Sequence, residues 1–329
     1  MEGLRTLPRN TDKVGAGAPD PVFLCLLLTA LIFGAAVSYS ASSVYAQEFY
    51  GDKLYFFRRY ILFALLSLGV TAMFVWRATP EFWRGFGVFL YAGAVFLLVL
   101  VLLIGTVGGG ARRWLVLGPL TVQPSEIAKP ALVLILSLVL TKHEKEVTSK
   151  RRGGGSFRYG VLLPGALILL ICLLVAAEKH ISGLLIIGML GVFVMFLGGT
   201  RPKYLLIMGL LVAAAGCLLI LVSSYAQVRV NTWLHIEEVD PLGSAWQTLQ
   251  GLYAIGSGGL FGVGFGNGRQ KFGYVSQPQN DFVFTIICEE MGFFGALAVI
   301  LLFLALVLRG FHIAAHAPDR FCSLAVYGL

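Results

Sequence analysis

Three observations predict an all-α, polytopic membrane bundle for this 329-residue chain. Of its residues 57% are hydrophobic and 13% charged, and the mean hydropathy is +0.83, a combination that does not describe a soluble globular domain. Apolar runs long enough to cross a bilayer, which takes ~20 residues at ~1.5 Å rise each, recur along nearly the whole length. Lys and Arg gather between alternate runs, as they do in the cytoplasmic loops of helical membrane proteins.

In chain order, residues 1–20, with Pro8, Gly15, Gly17 and Pro19, form a polar cytoplasmic tail. No small-residue cleavage site follows a short apolar stretch, so no removable signal peptide is expected. Residues 21–329 then form one transmembrane domain, with spans at 21–42, 57–76, 82–105, 123–141, 159–177, 181–199, 204–223 and 282–308 and a ninth beginning near Phe321. Placing the N-terminus inside puts Arg5, Arg9, Lys13, Arg77, Arg84, the cations of 142–158, Arg201, Lys203, Arg309 and Arg320 on the cytoplasmic side, which sets the orientation. The net charge of +8 is ordinary for such loops facing anionic lipid. KHEKEVTSKRRGGGSFR at 142–158 reads as a flexible topology signal.

Arg112, Arg113, Lys129, Lys179, Arg229, Arg269 and Lys271 fall on the outer side against that bias, and an anionic ligand there would account for them. Segment 224–281 is an outer loop, and its aromatics and Gly-broken apolar stretches, such as Trp246 to Leu252, predict short helices in a folded extracytoplasmic cap. Cys25, Cys172, Cys217, Cys288 and Cys322 lie in or beside spans without paired spacing, as small buried hydrophobes rather than disulfides or metal ligands.

Two clusters carry chemistry. GARRWLVLGPLTVQPSEIAKPAL at 110–132 places Arg112, Arg113, Glu126 and Lys129 at the mouth and first turns of an apolar helix, where ionisable groups are costly and mark function. Pro124 suits the first helical position, and Ser125 and Glu126 favour a helix start. Glu126 and Lys129 share a face and can pair, either as an ion pair locking two helices together or as ligand contacts; a Lys placed by a Glu suits a phosphate. Arg112 and Arg113 with Trp114 also fit an interfacial anchor.

In QPQNDFVFTIICEEMG at 277–292, Asn280 and Asp281 stand where a helix after Pro278 needs an N-cap. The alternative is a partly desolvated carboxylate facing the long loop, able to take a proton from a hydroxyl or to hold a divalent metal. Glu289 lies ~12 Å deeper by helix rise, so Glu289 and Glu290 read as hydrogen-bonding groups of the bundle interior. GSGGLFGVGFGNG at 256–268 has no βαβ context and fails as a dinucleotide loop. It supplies backbone flexibility and close approach, with N–H contact to a phosphate as the other reading. The basic loop lacks interleaved aromatics, so nothing points to nucleic acid.

GARRW with QPSEIAK, then DPLGSAWQTLQGLYAIGSGGLFGVGFGNGRQK, then QPQNDFVFTIICEEMGFFG, in that order, resemble the SEDS family of bacterial cell-wall synthesis, which contains FtsW, RodA and SpoVE. The PQNDF wording, the R-x-Q-K lead-in and the HAPDRF loop look closer to FtsW and SpoVE. The resemblance implies a ten-helix bundle of the bacterial cytoplasmic membrane, with a large extracytoplasmic loop between helices seven and eight. It implies a peptidoglycan glycosyltransferase that polymerises lipid II, a disaccharide-pentapeptide on an undecaprenyl pyrophosphate carrier, during division or sporulation. The family's essential Asp falls on Asp281 and its fourth-helix Glu and Lys on Glu126 and Lys129.

Transfer from an α-linked donor to a β-linkage is one inversion, with Asp281 deprotonating the acceptor 4-hydroxyl and cations neutralising the leaving diphosphate. Arg112, Arg113, Gln123, Ser125, Glu126, Lys129 and Lys271 are the substrate-binding candidates. Magnesium or manganese is the one cofactor expected, and no organic cofactor. The implied partners are a class B penicillin-binding protein transpeptidase and division or elongation complex proteins. A flippase for lipid-linked precursors and a scaffold recruiting a transpeptidase are the alternatives.

Two stretches depart from the family pattern. EKHISG replaces a Gln-Pro-Asp-Leu-Gly type sequence, so Lys179 and His180 stand at its Pro and acidic positions. The chain stops at AVYGL without the last two helices and the Ser-Gly-Gly-rich closing motif, so C-terminal helices are expected to be missing.

Overall fold

The computed structural model describes residues 19–329 apart from 78, 109–110, 119, 149–156, 179, 223, 236–244 and 276–277. Most of the N-terminal tail, the middle of the basic 142–158 connection and Lys179 therefore lie outside the described residues. The chain runs α1 (Pro21–Tyr50), α2 (Tyr55–Arg77), α3 (Pro80–Ile104), β1 (Thr106–Gly108), β2 (Ala111–Leu117), β3 (Leu120–Val122), α4 (Pro124–Lys142) and α5 (Glu144–Thr148). A π-helical turn at Arg158–Leu162 then leads into α6 (Leu163–Ala177), followed by α7 (Ile181–Leu197), α8 (Pro202–Val222), α9 (Ser224–Leu234), α10 (Trp246–Gly258), α11 (Val283–Ala315) and α12 (Arg320–Gly328).

Seven of the described helices, α1, α2, α3, α4, α6 with its π turn, α8 and α11, are long and apolar enough to cross a membrane, and α7 is a shorter apolar helix. This is a multi-pass membrane protein. Each predicted span has its helix, and α12 starts where the ninth was expected. Local chemistry sets the ends. Asp20 caps α1 by accepting the Phe23 N–H at 2.8 Å, with Pro21 at the first helical position, and Gly51 stops the helix at φ 68°. Thr79 caps α3 before Pro80, and Asp319 caps α12.

Residues 106–122 correct the sequence reading. Arg112 and Arg113 were expected at the mouth of a helix, but they lie on β2, the middle strand of a small antiparallel sheet ordered β1-β2-β3. Val107 pairs with Arg112, and Val116 with Thr121. The seven residues of β2 stand between glycines 108–110 and the Gly118–Pro119 pair, with Gly118 at φ 64°. That punctuation breaks a helix, and pairing into hairpins gives the backbone its hydrogen bonds instead.

The chain divides into two compact units. The first comprises Arg77–Ala215 and Gly310–Leu329 with the tail. Its hub is α4, which packs on α3, α6, α7 and α12 and fully buries Ala128, Ala131, Leu132 and Leu136. The Tyr91 hydroxyl donates to the Leu167 carbonyl at 2.8 Å, tying α3 to α6, and Arg84 holds Asp319 at 2.6 Å.

The second unit comprises Ala18–Trp76 and Gly216–Arg309. Here α1 and α11 run antiparallel, joined at two levels by Asp20 with Arg309 and by Ser40 with Glu290. The two levels are ~30 Å apart along either helix at 1.5 Å per residue, so the contacts are in register. The Tyr60 hydroxyl of α2 donates to the Leu31 carbonyl of α1. All five cysteines are free, but only Cys288 is buried; Cys25 and Cys217 are exposed on helix faces, which corrects their reading as uniformly buried. In a membrane an exposed thiol on an apolar helix faces lipid and needs no protein cover.

The Asp20 contact gives a pH prediction. The Arg309 guanidinium, then the Phe23 N–H, hold the Asp20 carboxyl down at about 2, below its ordinary 3.8. A depressed carboxyl stabilises the fold above its unfolded value and loses that contribution as pH falls toward its folded value. The melting temperature of Asp20→Asn in detergent should therefore lie below wild type at pH 6, and the gap should close between about pH 4 and pH 2.

Candidate functional site

Asp281 belongs to the second unit, at the head of α11. It is exposed, and among the described residues its side chain makes no hydrogen bond or ion pair. It does not cap α11, contrary to the N-cap reading of Asp281. Its surroundings are fixed. Phe282 packs against Gly251 of α10, where an added Cβ would come within 2.9 Å of the ring. Trp246 Nε1 donates to the Tyr274 carbonyl at 2.9 Å, and Pro278 is buried.

The Gly-rich run before it repairs a break in α11. The helix is interrupted at Gly292, with φ 66° and ψ −164°. Val263 and Gly264 N–H donate to the Glu289 and Glu290 carbonyls, both at 3.0 Å, while Phe293 and Phe294 N–H donate to the Gly259 and Leu260 carbonyls at 2.9 and 3.2 Å. The backbones approach so closely that a Cβ at Gly258, Gly262 or Gly292 would collide with main-chain atoms of the opposing segment. Close approach is thus what these glycines provide. The N–H groups of Val263, Gly264, Gly266, Arg269 and Gln270 are already given to protein oxygens, which removes them from the phosphate-cradle reading.

Glu289 and Glu290 are buried and accept hydrogen bonds from this loop. Glu289 takes Arg269 N–H at 2.7 Å and Gln270 N–H at 3.3 Å. Glu290 takes Gly266 N–H at 2.9 Å, the Ser40 hydroxyl at 2.6 Å and Lys271 Nζ at 2.7 Å. Lys271, expected at the substrate, points inward: its Nζ also meets the Gly266 carbonyl at 2.7 Å and Ser40 Oγ at 3.2 Å. An ammonium has three donors, and all three are engaged with 4% of the residue exposed. Sequence reasoning missed Ser40; the signal was the cluster Ser38, Ser40, Ser42 and Ser43 within an apolar helix.

The other candidates belong to the first unit. Arg112 and Arg113 are neighbours on a strand and so point to opposite faces; Arg112 is exposed and Arg113 half-buried. Gln123, Ser125, Glu126 and Lys129 occupy the N-terminal cap and first turns of α4. Lys129 Nζ pairs with Glu126 Oε2 at 2.6 Å. Both sit on α4, so the pair does not lock two helices. Gln123 Nε2 and Ser125 Oγ each lie 3.4 Å from His180 Nδ1 at the start of α7.

Glu178, which ends α6, was passed over in the sequence although it closes a long apolar run. It is 1% exposed, and among the described residues neither carboxylate oxygen has a hydrogen-bond partner. Burial pushes its carboxyl up to about 7 against the pull of Arg113. Burial, followed by Arg113, likewise holds His180 below its ordinary range, with Glu126 opposing. The start of α4 therefore gathers fixed cations and a helix N-terminus beside an acid and an imidazole that burial disposes toward neutrality, an arrangement suited to an anion.

The family described as Cell cycle protein, that of FtsW, RodA and SpoVE, matches residues 21–329. The chain is 37% identical over 315 residues to stage V sporulation protein E of Bacillus subtilis (strain 168), covering 95% of this chain and 83% of that protein. It is 33% identical over 313 residues to the probable peptidoglycan glycosyltransferase FtsW of Geobacter sulfurreducens, covering 94% and 81%. Among solved structures, the rod shape determining protein RodA of Thermus thermophilus superposes with a TM-score of 0.60 at 25% identity, covering 94% and 80%. A chain described under "Structural coordination of polymerization and crosslinking by a peptidoglycan synthase complex" gives 0.72 at 27% identity, covering 94% and 82%.

Proposed function

Because the chain belongs to the FtsW, RodA and SpoVE family of cell cycle proteins, we propose that it is a peptidoglycan glycosyltransferase that polymerises lipid II at the outer face of the bacterial cytoplasmic membrane. The observation that carries this reading is Asp281: an exposed carboxylate that makes no hydrogen bond or ion pair among the described residues, at the head of α11. The relatives' names supply the substrate class, since one is called a peptidoglycan glycosyltransferase and another structure a peptidoglycan synthase complex.

In this mechanism Asp281 accepts the proton of the acceptor 4-hydroxyl as its oxygen attacks the anomeric carbon of the donor sugar. The bond from that carbon to the diphosphate oxygen breaks with inversion, and the diphosphate leaves with the electron pair. A diphosphate is a good leaving group once its charge is neutralised, so no protonating acid is needed. On the first unit, the family resemblance offers Lys129, Arg112 and Arg113 as cations able to hold an anion, with Gln123 and Ser125 as hydrogen-bond donors beside Lys129 on α4.

Among the described residues no group of three or more His, Cys, Asp or Glu side chains forms a metal cage. A magnesium or manganese ion brought by a diphosphate would need only one or two protein carboxylates; Asp281 could offer it the oxygen that does not take the proton, and the ion would supply charge neutralisation at the leaving group. Four backbone groups flanking the α11 break, the Glu289 and Glu290 carbonyls and the Phe293 and Phe294 N–H, are taken by the Gly-rich loop. Transporters instead use such groups at broken helices to hold substrates and ions, which weighs against the flippase reading.

The test is to incubate the purified protein with lipid II, alone and with a class B penicillin-binding protein. Glycan strands are expected. Lipid II scrambling in vesicles without strands would favour a flippase, and neither activity together with co-purification of the transpeptidase would favour a scaffold.

A further inference from the structure

We propose that Glu290, Lys271 and Ser40, with Glu289 beside them, are positioning residues for Asp281: none touches substrate, yet turnover depends on them because they set the register of the loop that presents the carboxylate. The proposal rests on the assignment of Asp281 as the base.

A buried ion pair is a weak means of stabilising a fold, since well-packed apolar residues of the same volume often do as well or better, whereas its charges impose direction. The Lys271–Glu290 pair, with side chains 3% and 2% exposed, is such a case. Glu290 accepts the Gly266 N–H and Lys271 donates to the Gly266 carbonyl, so both polar groups of that residue are gripped. Glu289, the preceding residue on α11, takes the N–H groups of Arg269 and Gln270. Two consecutive helix residues therefore fix the chain from 266 to 271, while Ser40 braces the pair from α1.

Beyond Lys271 the chain is held at Val275, whose N–H donates to the Gln270 carbonyl at 3.0 Å. It then re-enters α11 at Val283, just past Asp281. Asp281 thus lies between two described points held to α11, the clamp at 266–271 and the start of the helix at Val283. A slip of one residue at Glu289–Glu290 shifts the clamped chain at 266–271 by up to ~3.4 Å. A displacement of even 1 Å at a reacting group lowers turnover by about 100-fold.

The experiment compares purified Lys271→Met, Lys271→Met with Glu290→Gln, Ser40→Ala and Asp281→Asn in lipid II polymerisation, with melting temperature measured on each. Lys271→Met alone should melt lower, because Glu290 is left buried without its counter-charge. The double variant should recover the melting temperature but keep a kcat down by about 100-fold with KM little changed; because it melts as the wild type does, a smaller folded fraction does not account for the loss. Wild-type kcat in a double variant of wild-type stability would overturn the proposal.

If the double variant does not fold, Ser40→Ala decides, because it removes only a hydroxyl. Reduced kcat with faster hydrogen exchange at residues 263–271 supports the positioning role, and wild-type kcat refutes it. An active Asp281→Asn would sink the base assignment and the positioning role together. An inactive Asp281→Asn beside a fully active double variant would sink the positioning role alone.

Discussion

Asp281→Asn is expected to abolish lipid II polymerisation while leaving expression, membrane insertion and melting temperature at wild-type values. The substitution keeps the shape of the side chain and removes its capacity to accept a proton. The lost contribution of a general base is about 10²- to 10⁴-fold in kcat, enough to take a slow polymerase below detection. Stability should not change, because the exposed carboxylate has no hydrogen bond or ion pair among the described residues to lose. Gel analysis of radiolabelled strands, alongside a thermal melt of the same preparation, checks both halves. Strand formation at the wild-type rate would remove Asp281 from the chemistry.

The second large effect is expected at Gly262. Its φ of +79° is unfavourable to any L side chain, and a Cβ there would run into the main chain at Glu290 and Met291. Neither neighbour is a flexible side-chain tip, so Gly262→Ala must lift the loop from α11 or bend the helix. The left-handed backbone penalty and the forced shift together cost ~3 kcal/mol or more. The melting temperature should fall, the amides of Val263 and Gly264 should exchange faster, and polymerisation should be lost. Gly256→Ala is the matched control: it lies within α10 with nothing near an added Cβ and no positive φ. It should be neutral or stabilise by ~0.5–1 kcal/mol.

How far the sequence disclosed these features depended on the range of the interaction. The spans were readable because ~20 apolar residues have one inexpensive solution in a bilayer, and Pro124 and Gly51 show how local residues fix the ends. The buried roles of Glu289 and Glu290 were also readable, since carboxylates inside an apolar helix must find donors. Which donors they find was not, because Ser40 lies 250 residues away in sequence from Glu290. Lys271 misled for a related reason: a cation in a polar loop gives no local sign that it turns inward to an acid 19 residues further on. The β2 hairpin was hidden by its arginines, which drew attention as charges near a helix, while the glycines and proline flanking them carried the backbone information. Glu178 went unnoticed because burial at a helix end is decided by packing of other helices.

The seam between the Gly-rich loop and the interrupted α11 limits how this protein can vary. Four main-chain groups flanking Gly292 bond to residues 259, 260, 263 and 264, so detaching that stretch would strand amides and carbonyls in an apolar environment at several kcal/mol each. Shortening or lengthening the chain between Gly258 and Gly268 would throw successive donors and acceptors out of step. Insertions, affinity tags and loop grafts should therefore fail throughout this stretch, even though several of its side chains, such as Phe261 and Phe265, stand open at the surface.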